Sequence, residues 1–301
     1  MIRRAFDKFR AAFEGDLFVD MPAARLGMLR LLTGAFCVWH LFDKYATYRR
    51  YGRLSLATYD PIGVVFWLKK PLPVEVHDGL VMAACVLAVL FAAGALYRVT
   101  GPAFALLMLW LLTYRNSWTM VYHTDNTLAL HLLVLGFARQ AADTISVDAL
   151  FRRRPPPEAS WRFGWPIQLM CLITILHYFI AGYAKVFGLY WQGWLTGQAI
   201  HNWIAWDTIR KEVLGSAGSP VAGLVFRLHG LFVALSYFTL LVEFGAPAVL
   251  RWRKLAPWWC LAAFGMHWGI YAFMHITFPY HLSGFIYLSF FPLERLARKR
   301  R

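Results

Sequence analysis

One lysine lies inside a long apolar stretch, in the segment HYFIAGYAKVFGLYWQGW. An ionisable side chain in a membrane span costs about 2.5–3.5 kcal/mol on insertion scales, so Lys185 is a candidate functional group. The small residues Ala181 and Gly182 allow a ligand or a second helix to approach it closely. A base that works in an apolar pocket is one interpretation, because desolvation disfavours the ammonium form. Snorkelling of the lysine to the lipid headgroups is the alternative.

Two further groups of polar residues could carry chemistry. His177 precedes Lys185 by eight residues, which predicts nearly the same helix face. A hydrogen-bonded core histidine is the alternative. The segment YHTDNT places His123, Asp125 and Asn126 in otherwise apolar sequence. These residues are predicted either to form part of a site or to cap the helix that follows them.

Glu243 is the only acid well inside a predicted span, in LLVEFGAP. It could face a proton path or pair with a base such as His267, and a structural ion pair or a neutral carboxyl group is the alternative. His267, His275 and His281 lack the i, i+4 spacing that places two metal ligands on one helix face. No metal site is therefore predicted. Nucleotide-binding and nucleophile-elbow motifs are also absent.

The composition indicates that these residues lie in a membrane protein. Apolar residues make up 59% of the 301 positions, charged residues make up 16%, and the mean hydropathy is +0.47. The formal charge of +15 comes from bases between apolar runs, which argues against a nucleic-acid partner. All four cysteines fall in apolar runs, which excludes a disulfide scaffold.

The apolar runs predict an all-α integral membrane protein, a polytopic bundle of about eight transmembrane helices. Seven or nine spans are the alternatives, because three of the runs are short. The predicted spans are Leu26–Phe42, Gly79–Tyr97, Val99–Tyr114, Val121–Ala138, Trp165–Phe187, Leu228–Leu250, Pro257–Ile276 and Phe278–Pro292.

The distribution of Lys and Arg predicts the orientation. With both termini inside, the inner segments carry 19 bases and the outer segments 9. We therefore expect a multi-pass protein of the plasma (inner) membrane with both termini cytoplasmic. The chain is interpreted as a single domain, residues 1–301, with residues 152–160 (RRRPPPEAS) as a linker in an inner loop.

This orientation predicts a pocket near the outer face. The start of the fourth span, the end of the fifth and the turn before the eighth all face outward. The loop 190–206 adds aromatic residues, although tryptophans are also ordinary interface anchors. The residues expected to gather there include Lys185, His123, Asp125, Asn126, Trp191, His275 and His281.

Three segments carry a family resemblance: YFIAGYAKVFGLYWQGWLTGQAI around Lys185, LLVEFGAP around Glu243, and Met266–Phe285. They resemble the vitamin K-dependent gamma-carboxylase-like superfamily, called HTTM in bacteria. The resemblance implies that Lys185 is the base that deprotonates vitamin K hydroquinone. In the reaction that this resemblance implies, oxygen then adds to the hydroquinone anion and produces a very strong base. That base removes a γ proton from glutamate before CO2 is captured.

The chain departs from that pattern in two places. The family's Asn-His pair is replaced by HTDNT, so His123 or Asn126 would take its part. The chain ends at Arg301 without the large extramembrane region with which carboxylases hold protein substrates, which argues against protein carboxylation.

The leading hypothesis is therefore a quinol-dependent carboxylase or oxygenase-type enzyme with Lys185 as base on the outer side. Its cofactor would be reduced vitamin K or a related quinol, with O2 and CO2 as co-substrates. Expected partners are the lipid bilayer, a quinone or lipid, and a peptide or protein substrate. The alternatives are a non-catalytic membrane scaffold for peptide maturation, export or immunity, and a transporter. Beside the catalytic set Lys185, His123 and Asn126, the residues assigned to cofactor binding are His177, Asp125, Trp191, Glu243, His267 and His275.

Overall fold

The computed structural model describes residues 17–118, 121–153 and 155–297, except for the side chain of His123. Of these residues 75% are helical, so the predicted all-α class is confirmed. The helices are α1 (Ala23–Asp43), α2 (Tyr45–Arg50), α3 (Val74–Ala93), α4 (Tyr97–Asn116), α5 (Asn126–Phe137), α6 (Val147–Leu150), α7 (Trp161–Phe187), α8 (Trp191–Leu195), α9 (Gln198–Val213), α10 (Pro220–Val225), α11 (His229–Phe244), α12 (Ala248–Arg251), α13 (Ala256–Met274), α14 (Pro279–Leu282) and α15 (Glu294–Ala297).

Short elements connect these helices. Two strands of two residues each, β1 (Met21–Pro22) and β2 (Ala159–Ser160), pair antiparallel, with Met21 opposite Ser160. The chain divides into two compact units, one formed by Met1–Met170 with Phe291–Arg301 and the other by Cys171–Phe290. The 3-10 segments are Tyr51–Arg53, Leu56–Thr58, Gly63–Val65, His123–Asp125, Arg139–Ala142, Arg253–Leu255 and Phe285–Phe290.

In the first unit, α3 packs against both α1 and α4, and α4 packs against α5. The core consists of apolar side chains with no exposed surface, among them Leu29, Ala88, Phe91 and Phe104. Between membrane-spanning helices, such side chains stabilise the unit through close van der Waals packing.

Segments that the charge distribution assigned to one side of the membrane lie together in this unit. At the start of α4, the carboxylate of Asp148 accepts hydrogen bonds from the backbone N–H groups of Leu96 and Tyr97, each at 2.8 Å. At the end of α4, the Asp60 N–H donates to the Ser117 carbonyl at 2.8 Å. The contacts at the two ends of α4 agree with the order of the predicted spans. The side of the membrane that each end of α4 faces stays a prediction.

Residues that flank the first and the last predicted span also meet in the first unit. The guanidinium of Arg25 donates to both carboxylate oxygens of Glu294 at 2.7 Å. These hydrogen bonds hold the pKa of Glu294 below its usual range. The residue before the first predicted span is thereby fastened to the residues after the last one.

Asp148 provides a test of this arrangement. A side chain that caps a helix N-terminus stabilises the protein by about 0.5–2 kcal/mol, and a negative charge there also favours the helix dipole. We expect Asp148→Ala to lower the stability of the purified protein by about 1 kcal/mol or more, measured as the midpoint of thermal unfolding in detergent. Asp20→Ala, which changes an exposed aspartate of the same unit, is the control and should leave the midpoint unchanged. Equal effects of the two substitutions would contradict the capping role.

Arg30 belongs to α1, and its guanidinium reaches the C-terminal end of α3. Its side chain has no exposed surface. Its Nη1 donates to the carbonyls of Phe91 at 2.8 Å and Ala92 at 2.5 Å, and its Nε donates to the carbonyl of Ala141 at 3.1 Å. Its Nη2 donates to the Ile145 carbonyl. The guanidinium therefore gives a donor to the Ala92 carbonyl in the last turn of α3 and a second donor to the Phe91 carbonyl, which also accepts from the Gly94 N–H.

Gly94 is required beside this guanidinium for two reasons. It ends α3 with a φ of +65°, which favours glycine. A Cβ atom at this position would also lie 2.7 Å from Nη1 of Arg30. The buried position of the Arg30 guanidinium and the turn at Gly94 therefore depend on each other.

The second unit begins within α7, after Met170. Helix α11 packs against α8, α9 and α13, and α10 packs against α13. A small apolar cluster of Ile204, Ala222 and Phe232 joins α9, α10 and α11. This packing fixes α11, which carries Glu243.

The predicted count of eight spans is not confirmed. Among the described residues, α3 and α7 are long and apolar enough to cross a membrane, and α5 and α11 are shorter apolar helices. The stretch Phe278–Pro292, predicted as the eighth span, is not one helix. Helix α14 ends at Leu282, Gly284 has a φ of +78°, and a 3-10 segment follows, because Pro279 and Gly284 interrupt a continuous α-helix.

Many apolar side chains point outward, as expected for contact with lipid. Met82, Val86 and Val89 of α3 are 48–60% exposed and follow a helical spacing. Leu106 of α4 and Leu261 of α13 are also more than half exposed. Extended exposed apolar surface of this kind marks a site of membrane interaction.

Candidate functional site

The second unit holds an ion pair between α7 and α11. Lys185 Nζ lies 2.6 Å from Oε2 and 2.9 Å from Oε1 of Glu243. The side chains are 20% and 8% exposed, respectively. The lysine and the glutamate, which were separate candidates in the sequence, thus form one ion pair.

The two helices approach each other closely beside this pair, at Gly182. A Cβ atom there would lie 2.7 Å from the backbone nitrogen of Phe244 and 3.0 Å from Cβ of Glu243. Only glycine fits without displacing α11. The expectation that a small residue lets a second helix approach Lys185 is confirmed, and Glu243 pairs with Lys185 rather than with His267.

Trp194 is the aromatic neighbour of the lysine. Nζ of Lys185 lies 5.0 Å from the centre of its ring, within the range of a cation–π interaction. Trp191, which the sequence analysis proposed for ligand binding, begins α8 and is 44% exposed. The contact with Lys185 is made by Trp194, which lies one helical turn after Trp191.

The face of α7 that carries Lys185 continues through Tyr178, not through His177. Seven residues correspond to 700°, which is 20° from two full turns, whereas eight residues are offset by 80°. Nδ1 of His177 lies 2.9 Å from the Ile173 carbonyl of its own helix. This geometry fits the alternative interpretation of His177 as a histidine that is hydrogen-bonded within its own helix.

Tyr178 belongs to a buried polar network that the sequence analysis found only in part. Its hydroxyl lies 2.6 Å from the hydroxyl of Tyr287 and 3.3 Å from Nδ1 of His267. The rings of His267 and His281 stack at 4.2 Å. Tyr178 and Tyr287 were missed, and the seven-residue spacing to Lys185 was the signal that could have identified Tyr178.

A tryptophan connects this network to the helix of Glu243. Trp259 packs edge-on against the ring of Tyr178 at 5.0 Å. Its Nε1 donates to the carbonyl of Val242 at 2.9 Å. The residue before Glu243 is therefore held by the same side chains that surround Tyr178.

The polar segment before α5 lies in the first unit. Asp125 is buried and forms an ion pair with Arg115 at 2.7 Å, and Arg115 lies over the ring of Tyr122 at 4.6 Å. Asp125 makes no side-chain capping hydrogen bond to α5. Asn126 is the exposed first residue of that helix, and the side chain of His123 lies outside the described residues. Arg115 is a partner that the sequence analysis did not identify.

His275 has a local, exposed position. It ends α13 with a φ of +48° and contacts the ring of Tyr271 at 5.7 Å. Among the described residues, no group of three or more His, Cys, Asp or Glu side chains could hold a metal ion. Lys185, Glu243 and Trp194 therefore form the centre of the candidate site, with the Tyr178 network on the same side of α7.

The sequence profile of the HTTM domain matches residues 18–293. The chain belongs to the HTTM family. This match confirms the resemblance inferred from the Lys185 segment, and it supports a membrane-associated, carboxylase-like family. The matched range of this HTTM protein contains both residues of the Lys185–Glu243 pair. No curated protein and no solved structure matches the chain.

Proposed function

We propose that this HTTM protein binds a quinol, reduced vitamin K or a related lipid, on the outer side of the membrane. Lys185 then takes a proton from the hydroxyl of that quinol. The observation that carries the proposal is the Lys185–Glu243 pair, two ionisable groups in direct contact within a membrane-associated family. Groups of this kind are costly in an apolar setting and mark functional sites by default.

The pair offers a way to prepare a neutral amine. A proton passes from Nζ of Lys185 to Oε2 of Glu243 across their 2.6 Å contact. One N–H bond breaks and one O–H bond forms, which leaves an amine and a neutral carboxylic acid. Removal of water penalises two charges, so a sheltered site favours this exchange.

The amine can then accept the proton of a ligand hydroxyl. Lys185 becomes an ammonium, Glu243 keeps its proton, and the ligand has lost one proton, so the atoms and charges balance. An ammonium at Lys185 would stabilise the negative charge left on the ligand oxygen. The pair accepts one proton in total, whichever of its members held the first one.

The side chains around the pair suit an aromatic ligand. Trp194 offers a ring face beside Lys185. Tyr178, on the same face of α7, brings a hydroxyl group and an edge-on contact to Trp259. A quinol supplies an ionisable hydroxyl and two electrons for O2, and CO2 would be a further co-substrate if the chemistry is carboxylase-like.

A non-catalytic scaffold for peptide maturation, export or immunity is the second candidate. The closeness of α7 and α11 at Gly182 favours it, because the ion pair then serves to join two helices. The two functions differ in what the pair must do. A scaffold requires only that α7 and α11 stay together, whereas the proposed enzyme requires a proton acceptor.

The experiment separates structure from chemistry with a double substitution. The full-length protein in lipid nanodiscs is extracted with solvent to identify bound quinone, and O2-dependent quinol oxidation is measured. Lys185→Met combined with Glu243→Met replaces both charges by apolar side chains and should preserve the fold. We expect it to lower the oxidation rate at least about 100-fold, the usual contribution of general base catalysis.

A second lysine pair in the same unit is the matched control. Lys211 lies 2.7 Å from Asp207, and their side chains are 18% and 4% exposed. Lys211→Met with Asp207→Met removes this pair and should leave the rate unchanged, since Arg210, which also pairs with Asp207, is 42% exposed and stays in contact with water. A Lys185/Glu243 double variant that oxidises quinol like the parent would show that the pair is not the base. A parent that neither binds nor oxidises quinol would leave the scaffold as the function.

A further inference from the structure

A basic cavity of about 540 Å³ lies in the first unit, separate from the residues of the proposed base. It is bounded by the start of α4, by the segment after α5 and by the start of α7. Four arginines and two aspartates line it, which leaves a surplus of two positive charges. The arginines are Arg98, Arg139, Arg152 and Arg162.

Both aspartates are already engaged. Asp148 accepts the two N–H groups at the start of α4, and Asp143 pairs with Arg152. Arg98, Arg139 and Arg162 are exposed, and within the described parts of the chain no carboxylate pairs with them. Among the described residues, three guanidinium groups therefore face one cavity without a carboxylate in salt-bridge contact, although Asp143 is close enough to Arg162 for an electrostatic interaction.

The remaining walls are aromatic. Trp161 and Trp165 from the first turns of α7 line the cavity together with the buried ring of Phe163. Trp161 is 48% exposed and meets the ring of Phe18 edge-on. Tryptophan beside arginine is typical of protein surfaces at the membrane–water interface, where a side chain contacts both the apolar bilayer core and the hydrated lipid headgroups.

We propose that this cavity binds a phosphate group, carried by an anionic phospholipid or free in solution. Guanidinium groups form paired hydrogen bonds to phosphate oxygens and stay charged at all physiological pH values. All three arginines come from segments that the charge distribution predicts on the inner side of the membrane. Basic pockets on the cytoplasmic side of membrane proteins suit anionic headgroups.

Ligand binding to the full-length protein in a non-ionic detergent tests this proposal. Phosphatidylglycerol, phosphatidylcholine and inorganic phosphate are titrated separately, and the rise in the thermal midpoint reports binding. We expect phosphatidylglycerol to bind at least about tenfold more tightly than phosphatidylcholine, and 0.5 M NaCl to weaken it. The substitutions Arg98→Gln, Arg139→Gln and Arg162→Gln together should weaken its binding about 100-fold.

Three exposed arginines outside the cavity form the matched control. Arg50→Gln, Arg227→Gln and Arg251→Gln remove the same charge and should leave binding as in the parent. Binding of inorganic phosphate that disappears in the cavity variant would identify free phosphate, and binding of phosphatidylglycerol alone would identify the lipid. Unchanged binding of phosphatidylglycerol and inorganic phosphate by the cavity variant would overturn the proposal. It would also be overturned if inorganic phosphate did not bind and the two phospholipids bound equally.

Discussion

Replacement of Arg30 by methionine is expected to destabilise the first unit by about 3–5 kcal/mol, because buried carbonyls lose a charged hydrogen-bond donor. The guanidinium is fully buried and donates to four carbonyls, those of Phe91, Ala92, Ala141 and Ile145. Each buried carbonyl left without a donor costs about 1–3 kcal/mol. The midpoint of thermal unfolding should therefore fall by roughly 10 °C.

Two further variants distinguish geometry from charge. Arg30→Lys keeps the positive charge at the end of α3, but an ammonium lacks the planar fork that reaches four acceptors. We expect it to recover only part of the lost stability. Arg50→Met changes an exposed arginine of the same unit and should leave the midpoint unchanged. An Arg30→Met protein that unfolds like the parent would contradict the assigned role of Arg30.

The second large effect concerns the Lys185–Glu243 pair. Lys185→Met alone leaves a carboxylate that is 8% exposed without its partner. Loss of one member of a buried pair costs about 3–5 kcal/mol, and the partial exposure of Lys185 points to the lower end of that range. The unfolding midpoint in detergent should fall clearly, together with the rate of quinol oxidation.

The double variant should separate these two losses. With Glu243→Met added, no unpaired charge remains, and we expect stability to return to within about 1 kcal/mol of the parent. The oxidation rate should stay low, because neither a proton donor nor a proton acceptor is present. Equal destabilisation of the single and the double variant would show that the pair does not act as a compensated unit.

Much of the site could be predicted from types and spacing. Lys185, Gly182 and Glu243 were each identified because polar or small residues in an apolar run need a reason. Pairing them required the crossing of α7 and α11, which hydropathy does not encode. A span predicts that a residue lies in a helix, but the neighbour of that residue depends on how two helices pack.

The same limit explains Arg30 and Asp148. Both interact with backbone groups that are 50 or more residues away in the chain, Arg30 at the end of α3 and Asp148 at the start of α4. Every residue type except proline has the same backbone carbonyl and N–H groups, so the sequence does not indicate which of them a distant side chain will bind. The predicted eighth span failed for a different reason, since the apolar count gave too little weight to Pro279 and Gly284.

The substitution Lys185→Arg tests the central claim most directly. Arginine keeps the positive charge and the pairing with Glu243, but a guanidinium does not give up its proton in proteins. The rate of O2-dependent quinol oxidation by the purified variant should therefore fall at least about 100-fold while the thermal midpoint stays close to that of the parent. A stable Lys185→Arg protein that oxidises quinol at the parental rate would show that Lys185 is not the base.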